Sequence, residues 1–282
     1  MKKIYIIILH YGQINLTKKC IMSLIKRESS YAKIVIVNNN SQSSSKSDFS
    51  PKNTIVINNN KNLGFAGGVN IGIKYAMEQN ADYVCILNND TLIKEPFLKS
   101  LVLLLDSNKS IGIIGPAISF LREGKTVFDI GGKINGYFGR TSHEEVSSIS
   151  GLSLQEVSYV TGAAMIVRKE VFQKIGLFDL QFFLYYEDVD LCLRAKEKGF
   201  RIVVAPHVII SHSLSKTVGK NSTFAIYHQT RSAVLFGRKY MHGFLNQFFN
   251  IVFLIMQTSL ITFKHPKSGI DGWKALLMTF FN

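Results

Sequence analysis

Tyr83-Val84-Cys85-Ile86-Leu87-Asn88-Asn89-Asp90 decides the fold: five apolar residues run without a break and then stop at three polar ones. An apolar run that does not alternate is expected of a strand covered on both faces, as in a parallel sheet. Residues 4–9 repeat the pattern and end at His10-Tyr11. Residues 34–37 end at Asn38-Asn39-Asn40 and residues 54–57 at Asn58-Asn59-Asn60. Helical spacing fills the gaps between these runs. Leu16, Cys20, Ile21, Leu24 and Ile25 give residues 15–27 one apolar face, with Asn15 as the expected N-cap. Val69, Ile73, Ala76 and Met77 do the same after the glycine-rich turn at residues 64–68. Glu95-Pro96 is expected to open a further helix, and residues 111–114 read as a strand. The alternation predicts an α/β chain with a mostly parallel sheet and helices on both faces. Ligands of such sheets bind beyond the carboxyl ends of the strands, where these four polar clusters would gather.

The second half changes character. Residues 119–157 are rich in Gly and Ser and are expected to form loops and a short hairpin over the site. Residues 159–167 read as a strand interrupted by Gly162, residues 187–198 as a helix ending at Gly199, and residues 200–205 as a strand stopped by Pro206. Residues 213–222 read as a polar, mobile stretch, and residues 223–240 as a basic helix. Residues 244–263 contain no charged side chain.

Length and charge bound the function. The 282 residues suffice for one large domain with an appendage, and 46% hydrophobic content supports a sizeable core. The net charge of +14 favours phosphorylated substrates or an anionic membrane surface. No basic run or nucleic-acid motif accompanies that charge, so nucleic acid is not an expected partner. Cys20, Cys85 and Cys192 lack metal-ligand spacing and read as reduced core thiols of a cytoplasmic protein. The first apolar run is too short for a signal peptide and reads as a strand.

Four places could carry chemistry. Glycines ahead of a helix, as in Gly64-Phe65-Ala66-Gly67-Gly68, let backbone N–H groups approach a phosphate, or simply make a tight loop. Asp90 offers carboxylate oxygens to Mg2+ or Mn2+, though Asn and Asp also favour plain turns. Glu187-Asp188-Val189-Asp190 sets three carboxylates beside aromatic residues 182–186. Crowding and burial raise a carboxylate pKa toward the range a general base needs. The same residues also suit a helix start, and Asp190 could pair with Arg194 four residues on. His212 is either structural or a ligand, with His207 competing.

The order of the pieces carries more than any one of them. Tyr11, Asn38-Asn39-Asn40-Ser41, Asn62-x-Gly64-Phe65-Ala66-x-x-x-Asn70-x-Gly72, Leu87-Asn88-Asn89-Asp90 and Gly162-Ala163-Ala164 follow in turn. Then come Gly176-x-Phe178-Asp179-x-x-Phe182-Phe183-x-Tyr185-x-Glu187-Asp188-x-Asp190-Leu191-x-x-Arg194 and His212. Over about residues 3–240 this succession resembles glycosyltransferase family 2, of the Rossmann-like GT-A fold, and its rhamnosyltransferase-like bacterial members. The resemblance implies an inverting, metal-assisted transfer from a nucleotide-diphosphate sugar, dTDP-rhamnose or a UDP-hexose, to a glycan acceptor in cell-surface polysaccharide synthesis. Asp188 matches the catalytic base, with Glu187 beside it. Asp90 and His212 match the groups that hold Mn2+ or Mg2+. Tyr11 and Asn38 match positions around the donor base, where the family usually has Asp at 38. Asn62, Gly64, Phe65, Gly67 and Asn70 match the donor loop, and Asn40, Asn88, Asn89, Gly162, Asp190 and Arg194 complete the expected donor side. Asn88 stands where the family's first metal-binding carboxylate usually is.

The division expected is a nucleotide-sugar and catalytic domain over residues 1–215 and a C-terminal helical segment over 216–282. Residues 244–263, flanked by Arg231, Arg238, Lys239, Lys264 and Lys267, are expected to lie in an anionic cytoplasmic interface, which suits a lipid-linked acceptor, with a membrane-spanning helix or a dimer or core helix as the alternatives. Two other readings stand beside this one. A nucleotidyltransferase would carry a basic, glycine-rich loop after the first strand, where His10-Tyr11-Gly12-Gln13 stands instead. A catalytically inactive relative would hold a nucleotide sugar or polysaccharide without turning it over.

Overall fold

The computed structural model describes residues 2–28, 31–39, 49, 54–135, 139–212 and 222–281, with the backbone alone at 280 and 281. The polar stretch 213–221 and Asn40 lie outside the described residues.

The leading half is built as the apolar runs imply. β1 (Ile4–His10), β2 (Lys33–Asn38), β3 (Thr54–Asn58) and β4 (Tyr83–Asn88) are mutually parallel, in the order β3-β2-β1-β4. Along β1 the side chains split by parity: Tyr5 and Ile7 enter one core, Ile4, Ile6 and Ile8 the other. Both faces are therefore covered, which is why the run does not alternate. Helix α1 (Ile14–Glu28) covers the second core with Cys20, Ile21 and Leu24, and α2 (Gly64–Glu78) covers the first with Val69, Ile73 and Ala76.

Three local expectations are corrected. Asn15 is inside α1, which starts one residue earlier. The glycines after Leu63 are not a loop ahead of the helix but its first turns. A Cβ on Gly68 would sit 2.3 Å from Leu9 Cδ1, and one on Gly72 2.4 Å from Ile7 Cγ2. They bring α2 down onto β1. Pro96 precedes helix α3 (Leu98–Ser107) and is not part of it; the Glu28 carboxylate accepts the N–H groups of Phe97 and Leu98 and fixes the helix start there. Pro96 misled because a partner distant in sequence, Glu28, decided the boundary.

The largest correction concerns residues 119–157. β6 (Ile111–Arg122), β7 (Lys125–Asn135) and β8 (Arg140–Val146) form an antiparallel meander, so the expected hairpin is present but longer than expected, and the expected loop is confined to residues 147–154. Gly131-Gly132 looked like loop glycines, but a Cβ on Gly132 would lie 2.1 Å from Tyr159 Cζ. Here glycine marks a ring packed on the strand. β10 (Ala164–Arg168) is shorter than expected, with residues 159–162 outside it, and it inserts antiparallel between β4 and β6. β11 (Arg201–His212) is not stopped by Pro206; it passes through with a register shift between Ala205 and Ile209, a bulge where the missing N–H is tolerated. β5 (Thr91–Leu92) and β9 (Gln155–Glu156) flank β11. Helices α4 (Lys169–Ile175) and α5 (Glu187–Glu197) join α2 on one face, leaving α1 and α3 on the other.

Three helices end the chain. α6 (Thr223–Tyr240) is capped by Ser222, whose hydroxyl accepts the Ala225 N–H at 3.1 Å. α7 (Phe244–Lys264) buries Asn250, Leu254 and Thr258 along one stripe, while Phe244, Phe248, Met256 and Phe263 are exposed. α8 (Pro266–Phe281) packs on α6 through Leu276 and Trp273.

Candidate active site

A cavity of about 510 Å3 opens at the carboxyl ends of β1, β2 and β4. Eleven of the residues singled out from sequence line it: Tyr11, Asn62, Gly64, Phe65, Asn88, Asn89, Asp90, Gly162, Glu187, Asp188 and His212.

One wall is made of asparagines. Asn39, buried, donates from Nδ2 to Asn62 Oδ1 (2.9 Å) and to the Gly64 carbonyl (3.0 Å). Its Oδ1 accepts from Asn59 Nδ2 at 2.8 Å and from the Leu63 N–H at 3.2 Å. It ties the ends of β2 and β3 to the start of α2. Asn38 drew attention in the sequence, yet of these two described residues Asn39 is the one that lines the cavity. Asn38 instead turns its amide to Asn58 Oδ1 at 3.1 Å. Gly64 sits at φ +73°, and a Cβ there would stand 2.3 Å from the Phe183 carbonyl oxygen. That oxygen accepts the Phe65 N–H at 2.7 Å, joining α2 to the acidic segment.

The second wall is the turn after β4. Asn89 donates from Nδ2 to Thr17 Oγ1 at 2.8 Å. Antiparallel pairing of β5 with β11 sets Thr91 opposite His212, which brings His212 Nε2 to 2.8 Å from Asp90 Oδ1. The two side chains are 11% and 5% exposed, so the pair is a nearly buried carboxylate–imidazole donor set at the cavity edge. Among the described residues no group of three or more His, Cys, Asp or Glu forms a complete cage. The pair fits a Mg2+ or Mn2+ site of the kind finished by substrate phosphate oxygens and water.

The third wall carries the acids. Tyr185 and Tyr186 adopt φ of +67° and +69°, a left-handed backbone that non-glycine residues reach only at a cost of about 1–2 kcal/mol each. The turn swings Glu187 and Asp188 to face the cavity. Asp188 Oδ2 accepts the Gly162 N–H and Oδ1 accepts the Val189 N–H, both at 2.8 Å. Glu187 is 5% exposed, and its Oε2 has no hydrogen-bond partner among the described residues. Burial, then the adjacent Asp188 charge, pushes the Glu187 carboxyl well above the usual carboxylate range. Burial also raises Asp188, against the opposing pull of the two backbone donors and of His143. Two backbone donors favour charge on Asp188, whereas the buried Glu187 Oε2 has none, so Glu187 is the member of the pair more readily held neutral.

Several expected site residues are not in the cavity. Asp190, fully buried, accepts from Arg194 Nε (2.8 Å), Lys239 Nζ (2.6 Å) and the Tyr240 hydroxyl (2.6 Å). Arg194 also donates to the carbonyls of Ile175 (2.8 Å) and Leu177 (2.9 Å). Both residues serve the framework, because a buried carboxylate needs its charge matched. Asn70 clamps the main chain of Phe178, donating to its carbonyl at 2.8 Å and accepting its N–H at 3.0 Å. Gly67 faces Leu63 and Leu180. Lys239 and Arg231, expected to face lipid, instead bind Asp179 and the Gln181 carbonyl in the segment leading to the acids.

The β7–β8 hairpin contributes residues that no motif marked: Asp129, Thr141, His143 and Glu145. Alternation along β8, with residues 141, 143 and 145 on one face, was the available signal once the stretch was recognised as a strand.

Residues 2–237 match the family model described as glycosyltransferase like family 2. The chain is 26% identical to the dTDP-rhamnosyl transferase RfbF of Shigella flexneri, covering 97% of this chain and 96% of that one. It is 25% identical to the rhamnosyltransferase WbbL of Escherichia coli K12, over 72% of this chain and 80% of that one. Among solved structures, GalNAc-T7 with UDP, GalNAc and Mn2+ superposes with a TM-score of 0.61 at 14% identity. That match covers 85% of this chain but only 49% of the other, so this chain spans about half its length.

Proposed function

Because this chain belongs to glycosyltransferase family 2 and has the GT-A fold, we propose that its cavity transfers a sugar, with inversion, from a nucleotide-diphosphate donor to a hydroxyl of a glycan acceptor. The observation that carries the reading is Asp188, held by two backbone N–H donors beside the buried Glu187, in the same cavity as Asp90 and His212. The acceptor oxygen bonds to the anomeric carbon as the bond from that carbon to the diphosphate oxygen breaks. The acceptor proton goes to Asp188, and the nucleoside diphosphate leaves. One carboxylate opposite the leaving group is sufficient; a hydrolase pair is not required.

Asp90 and His212 would hold Mn2+ or Mg2+, which when bound supplies positive charge against the leaving diphosphate. Asn39 and Asn62, with Tyr11, would receive the nucleoside. The relatives' names favour dTDP-rhamnose as donor, with a UDP-hexose as the alternative.

The acceptor in this reading is lipid-linked, and residues 216–282 bring residues 1–215 to the cytoplasmic membrane surface. The most apolar 18-residue window of α7 has a mean hydropathy of 1.5 and is 17% buried, and the helix's exposed Phe and Leu side chains suit an interface. Lys264 and Lys267 stand beside it for anionic headgroups. The test is a thermal-shift panel of nucleotide sugars with Mn2+ or Mg2+. A donor that binds the folded state raises Tm by mass action; no shift with any nucleoside diphosphate or its sugar contradicts the reading.

A further inference from the structure

One face of the β6–β7–β8 meander is a fourth wall of the cavity. Every second residue lines it: Ile118, Phe120 and Arg122 on β6, then Thr141, His143 and Glu145 on β8. Asp129 of β7 stands between them, opposite Ile118 on one side and Glu145 on the other. Two side-chain pairs stiffen this face. Glu145 accepts from both terminal nitrogens of Arg122. Asp129 accepts the Gly131 N–H at 2.8 Å with Oδ1 and holds His143 Nδ1 at 2.7 Å with Oδ2. The His143 ring also packs edge-on against Tyr159, with centroids 5.5 Å apart. Its plane and tautomer are thereby fixed, with the Nδ1 proton directed to Asp129. The His143 side chain is nevertheless 47% exposed, and no described residue bonds its Nε2.

We propose that His143 is a specificity residue for the acceptor: Nε2 hydrogen-bonds a non-reacting hydroxyl of the acceptor's terminal sugar while Asp188 receives the proton of the reacting one. The inference deepens the transfer reading and rests on it.

The chemistry of the wall suits a neutral sugar and not a phosphate. Its guanidinium, on Arg122, is taken up by Glu145, and its two carboxylates oppose a second anion. The diphosphate of the donor is met at Asp90 and His212 in the transfer reading, and the nucleoside at Asn39, Asn62 and Tyr11, which leaves the meander face to the acceptor. A hydroxyl both donates and accepts hydrogen bonds, so it suits Nε2 whether the imidazole is neutral or charged. A ring already held by Asp129 and Tyr159 loses little freedom when it makes that bond. His143 and Asp188 line the same cavity, so one acceptor sugar can meet both.

Two substitutions separate the ring nitrogens. Asparagine sets its amide where Nδ1 stands, keeping a partner for Asp129, and has no atom at the place of Nε2. Glutamine reaches the place of Nε2 and gives up the bond to Asp129. The full-length protein is supplied with Mn2+, radiolabelled dTDP-rhamnose or UDP-hexose, and a dilution series of lipid extract from membranes of the producing cells. Initial rates give KM for the extract and for the donor, and each variant is melted. His143→Asn should raise the extract KM about 3- to 10-fold, the size of one hydrogen bond between neutral groups, with the donor KM within about twofold. His143→Gln should lose less of that affinity, although its Tm falls further. The reverse ranking, with His143→Asn keeping the extract KM and His143→Gln losing it, assigns His143 to holding the hairpin and overturns the proposal. A donor KM that rises with the extract KM places His143 on the donor side and also overturns it. Wild-type protein that transfers no sugar sinks the transfer reading itself; wild-type transfer with an unmoved extract KM in His143→Asn sinks this inference alone.

Discussion

Asp188→Asn separates chemistry from folding. Both carboxylate oxygens are used, each accepting one backbone N–H at 2.8 Å. Asparagine supplies a single acceptor, so its NH2 must face either Gly162 N–H or Val189 N–H. Leaving one buried donor without a partner costs about 1–3 kcal/mol. Against that, the substitution removes a negative charge beside Glu187. The two effects oppose each other, and Tm should move by no more than a few degrees. The rate has no such offset. A positioned general base is worth about 10²–10⁴ in rate, or about 3–6 kcal/mol at about 1.4 per decade. Initial rates of nucleoside diphosphate release, with a thermal melt on the same preparation, read both quantities. Turnover should fall at least about 100-fold, with the donor KM within about threefold because Tyr11 and the asparagine wall are untouched. A kcat within tenfold of wild type in a folded variant refutes Asp188 as the base.

Three other outcomes follow from the same geometry. Gly64→Ala combines a left-handed backbone at φ +73° with a Cβ 2.3 Å from the Phe183 carbonyl; strain and overpacking together should cost about 2–5 kcal/mol, and a melt within 1 °C of wild type counts against the packing described. Glu187→Gln should stabilise the protein increasingly with pH. The folded Glu187 pKa lies above its unfolded value, so wild-type stability falls as pH rises from the ordinary glutamate range through the folded pKa, and the amide escapes that loss. The Tm difference should grow from about pH 5 to about pH 8, at about 2–4 °C per kcal/mol; a constant difference contradicts the assignment of the proton. Phe248, Met256 and Phe263 are 50%, 65% and 86% exposed on α7. Replacing all three by Glu should lower binding to phosphatidylglycerol vesicles at least about tenfold while leaving Tm nearly unchanged; undiminished vesicle binding removes α7 from the interface.

The parallel half of the sheet was legible because burial on both faces leaves a plain mark: unbroken apolar runs such as residues 4–9 and 83–87. Strand direction leaves no such mark. Residues 164–168 are as apolar as β4, and nothing in them says that they insert antiparallel. Glycine misled twice for one reason. Gly68 and Gly132 each admit a side chain distant in sequence, Leu9 and Tyr159, and sequence shows the gap without what fills it. The site divided the same way. Asp90, His212, Glu187 and Asp188 converge as the order of motifs implied. Asp190, Arg194 and Asn70 belong to the same two motifs but tie the framework together, since the role of a polar residue depends on what it meets. Asp129 and His143 were hidden because they are 14 residues apart and meet only through the β7–β8 hairpin.

The most direct test of sugar transfer supplies the purified, full-length protein with radiolabelled dTDP-rhamnose or UDP-hexose, Mn2+, and a lipid extract of membranes from the producing cells. Label should move into a glycan or lipid fraction with stoichiometric release of nucleoside diphosphate, and Asp188→Asn should abolish the movement. Tight binding of a donor with neither transfer nor hydrolysis, in protein whose melt is intact, would instead identify a nucleotide-sugar-binding relative without activity.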